Sequence, residues 1–300
     1  MRKMIFNNKD LPSLFEEEPE KAEIWWVETA RMFYSNKAAV VGLSGLLIIV
    51  FVGLFGPIFF KGDPFAIMQA PFTKPGHLTA LGTDYLGRDV FTCLIYGTRP
   101  TLAIGLIATA VTVLIGISIG AIAGFYGGTL DNLLMRFTEF FQVLPPLVFA
   151  MVIVAVFTPN FVTVVFAIGV TTWTSLARLT RAEFLKIKER EFVMAARAVG
   201  ANKYRLILRV LLPNALPPLI VAITLRIGMT IITEAALSFL GLTDPDIMTW
   251  GKMIGLSRDF FFEAWWTVTF PGLAILITAL CIALIGDGLN DALNPKLRGR

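Results

Sequence analysis

The chain has 300 residues, 56% of them hydrophobic and only 16% charged. A soluble domain of that length needs more polar surface, so the composition excludes an ordinary globular enzyme and points to a polytopic membrane protein. The formal charge is a modest +4, no lysine run is interleaved with aromatics, and nucleic acid is not an expected partner.

The head, residues 1–37, starts Met-Arg-Lys without the apolar core of a signal peptide. It carries seven acids between Asp10 and Glu28, which predicts an uncleaved segment that stays in the cytoplasm. Trp25 to Lys37 reads as an amphipathic helix lying at the interface with its apolar side in the headgroups. A first span is expected over 38–60, between Lys37 and Lys61, followed by an extracytoplasmic loop over 61–99. That loop holds Gly82-Thr83-Asp84 and Gly87-Arg88-Asp89, which read as a turn followed by a helix start. Two roles stand for Asp84, Arg88 and Asp89: capping and pairing among themselves, or docking an external protein.

A core of five further spans is expected over 100–290. Pro100 to Tyr126 is the second span, and Gly116, Gly120 and Gly124 recur there every four residues, a spacing that lets another helix approach closely. Ordinary helix packing is the favoured reading, ahead of a pore lining. Phe140 to Ala177 is uncharged and too long for one crossing, and Thr158-Pro159-Asn160 divides it into a hairpin of two spans. The fifth span lies within Leu216 to Leu242, the sixth is Ala264 to Ile285, and 291–300 is a tail. With the N-terminus inside, the cytoplasmic pieces hold 19 basic residues and the outer pieces 6, which predicts that both termini are cytoplasmic.

Between the fourth and fifth spans lies "EFVMAARAVGANKYRLILRVLLPN", residues 191–214. Phe192, Ala195, Ala196 and Val199 form an apolar stripe at helical spacing, with Arg190 and Arg197 opposite. Gly200 ends that helix in the left-handed conformation. Tyr204, Ile207, Leu208 and Leu211 form a second stripe, and Pro213 stops or bends the helix. From periodicity alone, the pair either rests on anionic lipid or inserts into a groove of another protein.

Two charges lie inside the fifth span. Such groups should face protein or water rather than lipid. Arg226 and Glu234 are eight residues apart, roughly 80° around a helix, and do not simply neutralise each other. Packing against a partner or gate is the favoured reading for Arg226, ahead of contact with a substrate carboxylate. A structural or gating role is expected for Glu234. Cys93 and Cys281 lie far apart and read as packing residues. His77 stands without partners in the outer loop. "GLTDPDIMTWGKM" lacks phosphate-loop spacing, with Met253 after the lysine, so the chain carries no catalytic constellation and no cofactor of its own.

The stretch "AARAVGANKYRLILRVLLP" resembles the EAA motif of ABC-importer permeases. Ala195, Ala196, Gly200, Leu212 and Pro213 match in register, Val210 stands for an isoleucine, and Met194 occupies the glutamate position. Glu191 and Arg197 flank the matched residues. "RMFYSNKAAVVG", "LGTDYLGRDVFTCLIYGTRPTL", "DNLLMRFTEFFQVLP", "LPNALPPLIV" and "EAALSFLGL" followed by "TWGKMIG" are similar, in that order, to the C-type permeases of dipeptide, oligopeptide and nickel importers. The resemblance implies an all-α, six-span type I importer permease in the inner membrane of a prokaryote, with coupling helices over 185–211. It implies a homologous permease partner, two ATPase subunits that bind ATP and Mg²⁺, and an extracytoplasmic binding protein. The cargo implied is a di- or oligopeptide, with nickel, glutathione or oligosaccharide as alternatives on the same fold. A stand-alone secondary transporter is the rival class, and the absence of proton-relay clusters or an evident inverted repeat argues against it.

Overall fold

A computed structural model describes residues 25–76 and 79–293. His77, the acids from Asp10 to Glu23 and the tail from 294 onward lie outside the described residues. The architecture is helical: α1 (Trp25–Ser35), α2 (Lys37–Phe59), α3 (Val90–Tyr126), α4 (Gly128–Val143), α5 (Pro146–Val156), α6 (Phe161–Thr172), α7 (Thr174–Lys188), α8 (Glu191–Ala198), α9 (Lys203–Arg205), α10 (Leu212–Phe239), α11 (Trp250–Ser257) and α12 (Trp266–Leu293). A π-helical stretch, Leu206–Leu211, joins α9 to α10. The described residues outside the helices form isolated bridges only, Ile67 with Arg88 and Thr83 with Asp89.

Four helices are long and apolar enough to cross a membrane, α2, α3, the run Lys203–Phe239 and α12. Counting the bent pairs α4–α5 (82°) and α6–α7 (44°) as one span each raises the number to six. The turn expected at Thr158-Pro159-Asn160 separates α5 from α6, but neither arm of the hairpin is one straight span. Leu144 and Pro145 break the first arm, because proline cannot extend the preceding helix. Trp173 breaks the second.

Other boundaries differ from the charge-based expectation. The second span begins at Val90 rather than Pro100, because Asp89 caps the helix by accepting from the Thr92 amide at 2.8 Å. At 37 residues α3 is about 55 Å long, more than a bilayer core needs. The sixth runs on to Leu293 and carries Asp287 and Asp291. The fifth begins at Leu212, so Pro213 does not stop the helix. The ring sits in the first α-turn directly after the π stretch, where a missing amide donor is tolerated.

The centre of the bundle is α3. Gly116, Gly120 and Gly124 face α7, against Trp173, Ala177 and Arg181 respectively, which supports helix packing as their role. The opposite flank of the chain is the α2–α12–α10 layer. The amphipathic α1 packs one side on the bundle, where Phe33 is buried in a cluster with Ala39 and Ala292. Asn36 ends α1 and caps α2 by accepting from the amides of Ala38 and Ala39, while its Nδ2 donates to Asp291 at 3.1 Å. Both cysteines are buried free thiols.

Candidate functional site

The segment 191–211 is built by two opposed demands. Val193, Leu206 and Leu211 are buried and join the cluster around Phe125, Phe184 and Leu219, which seats the segment on α3, α7 and α10. Several of its larger apolar residues are exposed instead. Val199 is 90% exposed, Tyr204 79%, Leu208 59% and Met194 54%, with Phe192 also exposed. These exposed apolar side chains, in a segment rich in charge, make it a candidate contact surface. Ala196 lies at its edge, half-buried, and Glu191, Ala195 and Arg197 are exposed beside it.

A Schellman turn holds α8 against α9. The amide of Ala201 donates to the Ala196 carbonyl at 3.0 Å and the amide of Gly200 to Arg197 at 2.9 Å. Gly200 has φ +86°, a left-handed conformation in which any other side chain is strained. Asn202 then caps α9 by accepting from the Arg205 amide at 2.8 Å. Of the first stripe expected from periodicity, Phe192, Ala195 and Val199 are exposed, while Ala196 packs against the inner cluster.

The second stripe needs correction. Tyr204 and Leu208 are exposed, and Leu206 takes the inward position with Leu211, Ile207 packing beside them. The cause is the π stretch. Its i→i+5 bonding brings residues five apart, here Leu206 and Leu211, onto one face, where a 3.6-residue period would not. Leu212 and Pro213 follow as the first residues of α10.

Arg226 and Glu234 have separate surroundings. Arg226, half-buried on α10, donates from Nη2 to Ser175 Oγ on α7, a partner that sequence reasoning did not supply. Glu234 is 0% exposed. Its Oε1 accepts from Ser238 Oγ at 2.6 Å and from Thr249 Oγ1 at 2.8 Å, while Oε2 has no partner. Thr249 is itself the cap of α11, so Glu234 ties that short helix to α10.

In the loop before α3 the charged residues have local partners. Asp84 and Arg88 are buried and paired, Nε to Oδ2 at 2.6 Å, and Asp84 Oδ1 also accepts from the Leu86 and Arg88 amides. Asp89 caps α3 and accepts from Thr92 Oγ1 at 2.6 Å. Asp84 and Arg88 thus face each other rather than solvent.

Sequence reasoning passed over Lys252. It is buried, and its Nζ donates to the carbonyls of Asp244 (3.1 Å), Pro245 (2.5 Å) and Ile247 (3.2 Å). Burial lowers its pKa below the usual lysine value, with Arg88 adding to that and Asp244 and Asp246 opposing it. The available signal was the Asp244-Pro245-Asp246 turn ahead of it. No cluster of metal ligands occurs among the described residues.

Comparison with known proteins identifies the family and the fold. Residues 116–299 match the family described as "Binding-protein-dependent transport system inner membrane component", and residues 25–75 match "N-terminal TM domain of oligopeptide transport permease C". The chain is 40% identical over 295 residues to the di/tripeptide transport system permease protein DppC of Pseudomonas aeruginosa (strain UCBPP-PA14), covering 96% of this chain and 95% of that one. It is 35% identical over 277 residues to the oligopeptide transport system permease protein OppC of Bacillus subtilis (strain 168), covering 91% and 90%. An inward-facing MetNI methionine ABC transporter shares its fold, with a TM-score of 0.57 at 19% identity, covering 68% of this chain and 98% of that chain. The chain belongs to the inner membrane component family of binding-protein-dependent transport systems, with the N-terminal domain of oligopeptide permease C and the fold of a type I ABC importer permease.

Proposed function

We propose that this chain is one of two homologous permease subunits of an ATP-driven importer of di- or oligopeptides in a prokaryotic inner membrane. The observation that carries the reading is the 191–211 unit. Its inner face is locked into the bundle through Val193, Leu206 and Leu211, while Phe192, Met194, Val199 and Tyr204 stand uncovered. A rigid knob with an apolar tip transmits motion from whatever grips it. The gripping partner is one of two ATPase subunits, which bind ATP and Mg²⁺ and supply the hydrolysis. The permease itself is a non-catalytic component.

Basic-residue bias supports the orientation: the 191–211 unit and both termini face the cytoplasm, and the loop 61–89 and α11 face outward. An extracytoplasmic binding protein delivers cargo to that outer end. With Asp84 and Arg88 closed on each other, docking near them rests on exposed neighbours such as Leu86. Closure of the ATPase pair moves the knob, the knob moves α7 and α10, and access to the pathway alternates. Peptide is favoured over nickel, glutathione or oligosaccharide because relatives at 35–40% identity are named as peptide permeases.

The test is ATP-dependent uptake of labelled dipeptides by vesicles holding the complete complex. Uptake is expected to need all subunits and to be competed by unlabelled dipeptide. Uptake that proceeds without ATP or ATPase subunits would favour a secondary transporter.

A further inference from the structure

The 244–247 loop and the segment before α3 meet at the Lys252 ammonium. Its three protons are matched by the three carbonyls of Asp244, Pro245 and Ile247, so backbone oxygens stand where hydration water would. The ring of Phe65, from the segment before α3, lies beneath it with its centroid 5.1 Å away. The loop it gathers is also bonded to the hairpin: Asp244 Oδ2 accepts from the amide of Phe161, the first residue of α6, at 2.9 Å. Asp244 Oδ1 accepts from the Asp246 amide at 2.9 Å and closes the turn.

The far side of Lys252 is equally fixed. Its own helix, α11, is bound to α3 through the Trp250 amide to Thr101 Oγ1 (3.1 Å) and Trp250 Nε1 to the Leu94 carbonyl (3.0 Å). Thr249 carries the link to Glu234 on α10. Three carbonyl dipoles aimed at one point repel one another without a cation between them. The 244–247 loop is therefore folded around a charge that the chain supplies covalently.

We infer that Lys252 is a positioning residue for transport. It clamps the α5–α6 turn, the 244–247 loop and α11 into one block, so that this end of the pathway opens and closes as a unit. The inference rests on the transport reading above, since a block has meaning only if that end moves. Lys252 itself touches no cargo in this role, and Asp244 is the link that extends its hold to α6.

The experiment places spin labels at Val162 on α6 and Asp259 just after α11, both exposed, in the complete complex. The distance between them is measured nucleotide-free and with ATP trapped. A single narrow distance, the same in both states, is expected. A distance that changes with nucleotide would overturn the block. In Lys252→Met the distribution is expected to broaden, with about a ten-fold fall in uptake as hydrolysis persists. An unchanged distribution or unchanged uptake there counts against the clamp. Should Lys252→Met fail to assemble, Asp244→Asn keeps the Oδ1 bond that closes the turn but puts an amide nitrogen where Oδ2 accepts from Phe161, and must broaden the same distance. Loss of ATP-dependent uptake by the unsubstituted complex would instead refute the transport reading, leaving the distances to judge the clamp.

Discussion

Gly124 and Phe184 are packed so closely that a side-chain carbon on the glycine would lie 2.6 Å from Phe184 Cβ. Phe184 is fully buried and cannot retreat. The same approach recurs at Gly116 and Gly120, so the α3–α7 contact is backbone against backbone along its length. Beside it, Arg181 on α7 pairs with Asp131 on α4 at 2.5 Å, and Lys188 donates to the Phe125 carbonyl at the end of α3. This contact holds the 191–211 unit in register with the spans.

Gly124→Val is therefore expected to destabilise the protein by about 1–3 kcal/mol through overpacking. Thermal unfolding in detergent, followed by tryptophan fluorescence, measures it. Gly272→Ala is the control, because nothing lies within 4 Å of its added carbon. An equal effect of both substitutions would remove the close-packing argument.

At Gly200 the space is open and only the backbone objects. Alanine there should strain the turn by about 1 kcal/mol and leave function largely intact. Gly200→Pro fixes φ near −65° and deletes the amide that bonds to Arg197. That variant is expected to insert and assemble but to hydrolyse ATP without matching uptake. Peptide imported per ATP hydrolysed is the quantity to compare, and an unchanged ratio would unseat the coupling role of the turn.

The exposed tip offers a binding measurement. Val199→Glu or Tyr204→Ala is expected to weaken retention of the ATPase subunits by about ten-fold while leaving the permease's own melting temperature unchanged. Leu206→Ala should do the reverse at first, lowering stability by about 2–5 kcal/mol because that side chain is buried. Co-purification and thermal melting on the same preparations separate the two.

Arg226 is expected to behave as a packing group. Ser175→Ala removes the partner of a half-buried guanidinium and should cost about 1.5–3 kcal/mol. Combined with Arg226→Met, the losses should be clearly less than additive. Competition among dipeptides for uptake is expected to rank as before in every variant. A changed ranking with normal assembly would move Arg226 into the cargo pathway.

Much of this protein is legible in its residues, for definite physical reasons. Long uncharged runs have few fates besides a bilayer, so α2, α3, α10 and α12 are each visible, α2 and α10 within a few residues of both ends. Gly200 announces its turn because a left-handed residue at the end of an amphipathic helix is nearly always glycine. The four-residue glycine repeat foretells a close helix contact, though not that α7 makes it.

What the sequence hid depends on contacts between distant segments or on departures from regular geometry. Charge counting placed a span boundary at Pro100, where an Asp89 cap starts the helix at Val90. A 3.6-residue period put Tyr204, Ile207, Leu208 and Leu211 on one stripe, and the π stretch split it, burying Leu211 with Leu206 while Tyr204 and Leu208 stay exposed. Pairing of Asp84 with Arg88 is one of two readings of a polar loop, but that folding buries the pair is not visible in it. Ser175 and Arg226 lie 51 positions apart, and Lys252 meets Phe65 from the far side of the chain. Hydropathy and periodicity are local sums over neighbouring residues, so the residues alone determined which segments cross and which stay wet. Which side chains face one another is settled only when α3, α7, α10 and α11 close on a common core, and that decided where the charges rest and what is left exposed for a partner.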